Sequence, residues 1–282
     1  MRIMQWNAGR GLKDADNGIL DILAVENGAR VCLLQETVGF NPNGTVKALK
    51  ESRRWSVFES GRACILVSQG VRAVECKQWA RVTGVDGAVL DAVAIEVAGM
   101  GITHPILLVS VYRDQTQNIP EALEYLRELL FQLTAVSVIV GGDFNIHSKA
   151  LGAIKDGPQG EEFGSLVDEL KEIGGDCVND GSPTWVGRVN RTTPCSPSHI
   201  DGTLFAPGLD WPIEVKNWKT GDQSQSDHVT IYYDVIERLC IEPKSSDHVT
   251  HNLESDHVTV EPPLNWFQLK RKACTDDRLN LF

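Results

Sequence analysis

The feature that most constrains this chain is a series of short apolar, β-branched runs, each closed by polar residues and set apart by Gly, Pro or charged turns. Met1 to Trp6 ends in Asn7, and Ala29 to Leu34 ends in Gln35 and Glu36. Arg62 to Ser68, Val89 to Val97, Ile106 to Tyr112, Val136 to Val140, Ile200 to Phe205 and His228 to Val235 repeat the pattern. Runs of this length and composition predict strands, largely buried. Between the first two, Gly18 to Asn27 puts Ile19, Ile22, Leu23, Ala24 and Val25 near one helical face, so the chain opens as a β-α-β unit. Glu121 to Leu133 follows Pro120 and spaces Leu123, Leu126, Leu130 and Leu133 as an amphipathic helix; Gly160 to Ile173 predicts another. Asn179 to Pro197 reads as loop, and so does the polar stretch from Phe205 to Gln225. Many strands with few helices predict an α/β (α+β) fold of two packed sheets with helices outside, whose polar strand ends gather along one rim.

A chain of 282 residues with 42% apolar content can bury a large core. There is no cationic leader at Met1 and no apolar run long enough to span a bilayer, so a soluble, intracellular protein with no membrane partner is expected. Seven scattered cysteines without a C-x-x-C pair suit a reducing compartment and suggest neither a disulfide framework nor a zinc site. The formal net charge of −11 argues against a strongly basic nucleic-acid-binding face. A carboxylate-lined metal cleft relaxes that objection, because a bound cation reverses the local sign.

The strand ends carry the chemistry. Cleaving a phosphodiester needs a cation for the non-bridging oxygens, a group that aligns and deprotonates water, and help for the leaving oxygen. Magnesium takes few protein ligands, so its site reads as scattered acids. Glu36 is the best single candidate, with the Asn7 carboxamide expected beside it. In GGDFNIHS (Gly141 to Ser148) two glycines allow a tight strand end while Asp143 and Asn145 fall on alternate positions; Asp143 can take a proton from water and Asn145 can hold that water or a phosphate oxygen. In SHIDGTLF, Asp201 stands in an apolar run, and in SQSDHVTIYYDV, Asp227 and His228 precede a strand. An imidazole fixed by a buried carboxylate keeps one tautomer and protonates readily, which pairs Asp201 with His228 and leaves Asp227 for the metal. Tyr112 can offer its hydroxyl to phosphate. Thr184, Arg188 and Arg191, with Arg113, are candidate groove contacts, and Lys149 is a further nearby cation.

The ordered motifs WNAG, LLQET, SVY, GGDFN, SPTW, SHIDGTLF and SDHVT, over Met1 to Val235, resemble the endonuclease/exonuclease/phosphatase superfamily. The resemblance implies a four-layered αββα sandwich of mainly antiparallel sheets and a Mg²⁺ cofactor, with Mn²⁺ able to substitute. It implies Asn7 and Glu36 for metal and phosphate, Tyr112 for phosphate, Asp143 and Asn145 for the attacking water, Asp201 behind the histidine, and Asp227 with His228 closing the site. GDFNIHS, PTW and the short SHIDGTLF look like the endonuclease domains of non-LTR retrotransposons. On that resemblance the expected substrate is target-site duplex DNA, nicked to leave a 3′-hydroxyl and a 5′-phosphate. The expected partner is a reverse transcriptase region of the same polyprotein, and the expected location is the nucleus. A phosphatase or phospholipase of the same fold, and a catalytically inactive binding module, are the alternatives.

Residues 1–238 are expected to form this domain and 239–282 a poorly ordered linker. Ser245 to Thr250 and Glu254 to Thr259 repeat the SDHVT of Ser224 to Thr230 at unequal offsets, which suggests local duplication rather than a solenoid. Only the first copy runs into a long apolar strand, so Asp227 and His228 are preferred over Asp247 with His248 or Asp256 with His257.

Overall fold

A computed structural model describes residues 1–9, 17–37, 54–133, 135–187, 196–209, 213–223 and 226–238. The two later SDHVT copies and the expected linker lie outside the described residues. The strands are β1 (Arg2–Asn7), β2 (Val31–Gln35), β3 (Trp55–Ser60), β4 (Ala63–Ser68), β5 (Arg72–Glu75), β6 (Asp91–Gly99), β7 (Ile102–Tyr112), β8 (Val138–Asp143), β9 (Asp176–Cys177), β10 (Asp201–Ala206), β11 (Ile213–Gln223) and β12 (Val229–Glu237). The α-helices are α1 (Asn17–Glu26), α2 (Ile119–Gln132) and α3 (Gly160–Glu172).

They form two six-stranded sheets, in the orders β11-β12-β1-β2-β4-β3 and β5-β6-β7-β8-β10-β9. Near the middle of each lies one parallel pair, β1 with β2 and β7 with β8; the other pairings are antiparallel. Parallel neighbours need a crossover, supplied here by α1 and α2. The consequence is positional: both strands of each pair end at the same edge, with Asn7 opposite Gln35 and Tyr112 opposite Asp143.

Three apolar clusters define four layers. Ile3, Leu33, Ile65, Ile95, Leu108, Ile139 and Ile231 pack between the sheets. Leu20 and Ala24 of α1 cover the outer face of the first sheet with Met4, Trp6 and Leu34. Leu123 and Leu126 of α2 and Phe163 and Leu166 of α3 cover the outer face of the second. Strand side chains alternate between faces, and both faces of the central strands are covered, which accounts for their continuous apolar runs.

Some expectations need correction. The stretch read as polar loop before Gln225 contains β11, an edge strand whose polar residues have water on one side. The short strands β3, β5 and β9 were not expected. In α1, Leu20 rather than Ile22 or Val25 faces the sheet; the latter two are exposed.

Two amides pin the sheets together beneath the shared edge. Gln5 on β1 donates through Nε2 to the Gly142 and Gly202 carbonyls and accepts from Thr203 Oγ1. Gln35 donates to Ser110 Oγ at 2.9 Å, and that hydroxyl donates to the Leu34 carbonyl. Bonded polar groups in an apolar interface accept few alternative registers, so these links hold the sheets in alignment.

Candidate active site

Asn7, Glu36, Tyr112, Asp143, Asn145, Asp227 and His228 line one cleft at that edge, of ≈ 670 Å³, with Asp114, His147 and Trp185 among its other walls. The first sheet contributes Asn7 from the end of β1, Glu36 just beyond β2, and the Asp227–His228 approach to β12. The second contributes Tyr112 and Asp143 from the ends of β7 and β8. Asp201, opposite Asp143 in register, stands behind the cleft wall.

His228 and Asp201 form a buried pair, with Nδ1 2.9 Å from Asp201 Oδ2 and side-chain exposures of 8% and 2%. Burial pushes the imidazole pKa down, but Asp201, Asp143 and Asp227 outweigh it and raise it to about 10. The ring is therefore a cation at neutral pH, with Nδ1 on Asp201 and Nε2 3.9 Å from Asp143 Oδ2. That separation is too long for a direct hydrogen bond.

Thr184 is buried and turned inward. Its Oγ1 accepts from the backbone N–H groups of Ile200 and Asp201, and its carbonyl accepts from Val229 N. The expectation of a groove contact at Thr184 is thus corrected: Thr184 fixes the start of β10 and so the carboxylate behind His228. The Pro-Thr-Trp segment bridges to the Asp-His segment through Val186 N to the Asp227 carbonyl, and Ser226 Oγ donates to the Asn7 carbonyl. Ser226, beside Asp227 in the same motif, was missed as a support.

Asp143 is 1% exposed and surrounded by donors. Asn7 Nδ2 donates to its Oδ2 at 2.8 Å, Asn145 N donates to Oδ1 at 2.9 Å, and Asn145 Nδ2 reaches Oδ2 at 3.2 Å. Burial raises its pKa first and the Asp201 charge adds to this; His228 and the donors offset only part, leaving it at about 7. Across the cleft, Tyr112 donates its hydroxyl to Glu36 Oε1. Burial and that carboxylate raise the phenol pKa, so it stays a donor.

Arg113 is corrected as well. It is 1% exposed, and its guanidinium donates to the carbonyls of Phe144 (2.7 Å), Gln117 (2.7 Å) and Asn145 (2.9 Å). In return Asn145 Nδ2 donates to the Arg113 carbonyl. Asn145 has a left-handed backbone, φ 50°, which a non-glycine residue adopts at some strain unless its surroundings hold it. Arg113 therefore clamps the turn that aims Asp143 and Asn145, and a groove role is closed to it by burial. Arg113→Lys keeps the charge but loses the fork. It is expected to cost about 2 kcal/mol of stability and to lower kcat with little change in the salt dependence of KM; urea unfolding and nicking kinetics over a salt series check both. Arg188 and Arg191 lie outside the described residues.

Among the described residues lining the cleft there is no lysine or arginine, while Glu36, Asp114, Asp143 and Asp227 bring carboxylates to it. Such a wall repels a phosphodiester unless a cation intervenes. Asp143, Asp201 and His228 approach closely enough to share an ion. In that group, however, His228 is protonated and its Nδ1 is occupied by Asp201, so a proton already supplies the positive charge. The half-buried Glu36 carboxylate, with Asp227 and the Asn7 carboxamide on the same cleft lining, is the better fit, because it offers the oxygen ligands that a hard divalent ion prefers.

Residues 106–232 match a protein family described as endonuclease-reverse transcriptase. Comparison with curated proteins finds no match. Among solved structures, the endonuclease domain of TRAS1, a telomere-specific non-LTR retrotransposon, is similar at TM-score 0.63 and 23% identity, covering 83% of this chain and 97% of that one. TDP2 from D. rerio, complexed with a single strand DNA product, matches at TM-score 0.58 and 17% identity over 83% and 98%. An endonuclease/exonuclease/phosphatase from Bacteroides vulgatus matches at TM-score 0.58 and 13% identity over 84% and 98%. With two mixed six-stranded sheets and an acidic, histidine-bearing cleft at their shared edge, the chain has the fold of these endonuclease/exonuclease/phosphatase structures, and its residues 106–232 resemble the endonuclease-reverse transcriptase family.

Proposed function

We propose that this protein is a Mg²⁺-dependent endonuclease that nicks duplex DNA, leaving a 3′-hydroxyl and a 5′-phosphate. The observation that carries the reading is the meeting, in one cleft, of a buried aspartate with a raised pKa and a buried, protonated histidine, their facing atoms 3.9 Å apart. Asp143 and Asn145 hold the attacking water, and Asp143, titrating near neutrality, takes its proton. His228 Nε2 donates to a phosphate oxygen as charge builds there. Water oxygen bonds to phosphorus, the bond to the 3′ oxygen breaks, and that oxygen takes a proton from solvent water and leaves as the 3′-hydroxyl. Glu36, with Asn7 and Asp227, would hold a divalent cation, Mg²⁺ or Mn²⁺, whose chemistry is to neutralise the non-bridging and leaving oxygens. Tyr112 steadies Glu36 by donating its hydroxyl to the carboxylate.

Similarity to the TRAS1 domain supports a biological setting in which the nick, made in nuclear DNA, primes a reverse transcriptase region of the same polyprotein. Conversion of supercoiled plasmid to open circles tests the reaction. Nicking is expected with Mg²⁺ and is lost with EDTA. Glu36→Ala is expected to need far more Mg²⁺ or to fail. Folded wild-type protein that leaves plasmid intact in both Mg²⁺ and Mn²⁺ overturns the proposal.

A further inference from the structure

We propose that a hollow beside the cleft, walled by Ile154 and Pro197, receives the DNA that flanks the scissile phosphate, with Ile154 as a wedge against its bases. The inference rests on the endonuclease reading and names how its substrate is held. The hollow, ≈ 390 Å³, shares His147, Ser196 and Ser198 with the catalytic cleft, so a strand whose phosphate occupies the cleft passes directly into it.

Ile154 is 96% exposed, the most exposed large apolar side chain among the described residues. It is not held loosely. Asp156 Oδ1 accepts from Lys149 N at 2.8 Å and from Ser148 Oγ at 3.3 Å, Ala153 N donates to the Ser148 carbonyl at 3.1 Å, and Gly157 N donates to the His147 carbonyl at 2.7 Å. Gly152, at φ 105°, makes the turn before Ala153. A braced loop that holds an isoleucine in water presents it to something that arrives later.

Charge identifies the occupant. The catalytic cleft has no described lysine or arginine in its lining, but this loop carries exposed Lys149 and Lys155 in a chain of net charge −11. Lys149 lies near Asp156, at 3.4 Å, which leaves Lys155 as the cation beside the isoleucine. A cation for the backbone next to an apolar side chain for the bases matches the division of labour at DNA surfaces, where phosphate contacts position and apolar wedges unstack a base step.

The test compares wild type with Ile154→Ala on three substrates: a duplex carrying 2-aminopurine beside a mapped nick, the same duplex sequence for cut-site mapping, and bis(p-nitrophenyl) phosphate, a small diester with no flanking bases. Wild type is expected to raise 2-aminopurine fluorescence on binding. The variant is expected to lose that rise, to show KM for duplex increased roughly tenfold, the size of one lost base contact, and to spread its cuts over more sites. Hydrolysis of the small diester stays unchanged. A variant with wild-type fluorescence, KM and cut pattern overturns the wedge and leaves the endonuclease reading standing. A wild type that hydrolyses neither diester overturns the endonuclease reading, and absence of the fluorescence rise in that protein overturns the wedge with it.

Discussion

Replacing His228 by alanine is expected to lower kcat for nicking by about 10²- to 10³-fold, the range for loss of one preorganised hydrogen-bond donor to a developing oxyanion, with KM changed far less. The imidazolium cannot be substituted by solvent: the ring is buried, its Nδ1 is held by Asp201, and Nε2 faces Asp143 across a gap that a phosphate oxygen can enter. Single-turnover kinetics on plasmid check the size of the loss. A variant within tenfold of wild type removes His228 as the donor.

The same pair sets the expected pH dependence. Activity rises as Asp143 loses its proton near pH 7 and falls as His228 loses its own near pH 10. The sign for stability follows from linkage. The folded pKa of His228 lies above its ordinary value of 6.5, so the pair's contribution is fully present below about pH 6.5 and is lost as pH rises through about 10. Melting temperatures of wild type and His228→Ala over that window separate the two effects. The difference between the proteins shrinks as pH rises if the pair behaves as described.

The residues that line the cleft were legible because the fold puts them at the ends of apolar runs. Asn7, Glu36, Tyr112 and Asp143 each interrupt a β-branched stretch where a strand stops, and parallel pairing sends those ends to one edge. Asp201 and His228 could be paired in advance because a buried histidine needs an acid. The supporting residues could not be read the same way. Arg113 and Thr184 stand next to motif residues in sequence, as a groove contact would, and only the tertiary structure shows the carbonyls and N–H groups that take them inward. Gln5 sits unannounced within an apolar run, since its partners belong to the other sheet. β11 was hidden for the opposite reason: a polar edge strand has no apolar signature to find.

Gly142→Ala is expected to remove about 3 kcal/mol or more of stability, at or beyond the upper end for an overpacked core position. The two glycines of GGDF look like freedom for a turn, but Gly142 lies within β8, and its role is close approach. A Cβ there would stand 2.0 Å from the Val111 carbonyl oxygen of β7 and 2.8 Å from its carbon. Those are backbone atoms of the parallel pair, in register at Val111 and Gly142, so no rotamer change relieves the contact. β8 must move away from β7, and Asp143, the next residue, moves with it. Gly164 provides the control: it lies inside α3 with nothing within 4 Å of a built Cβ. Gly164→Ala is expected to stabilise by about 0.5–1 kcal/mol, through helix propensity alone. Urea midpoints should therefore move in opposite directions for the two glycine-to-alanine changes, and only Gly142→Ala should lose nicking. A Gly142→Ala protein with a wild-type midpoint would mean that the β7–β8 approach, and with it the placement of Asp143 opposite Tyr112, is wrong.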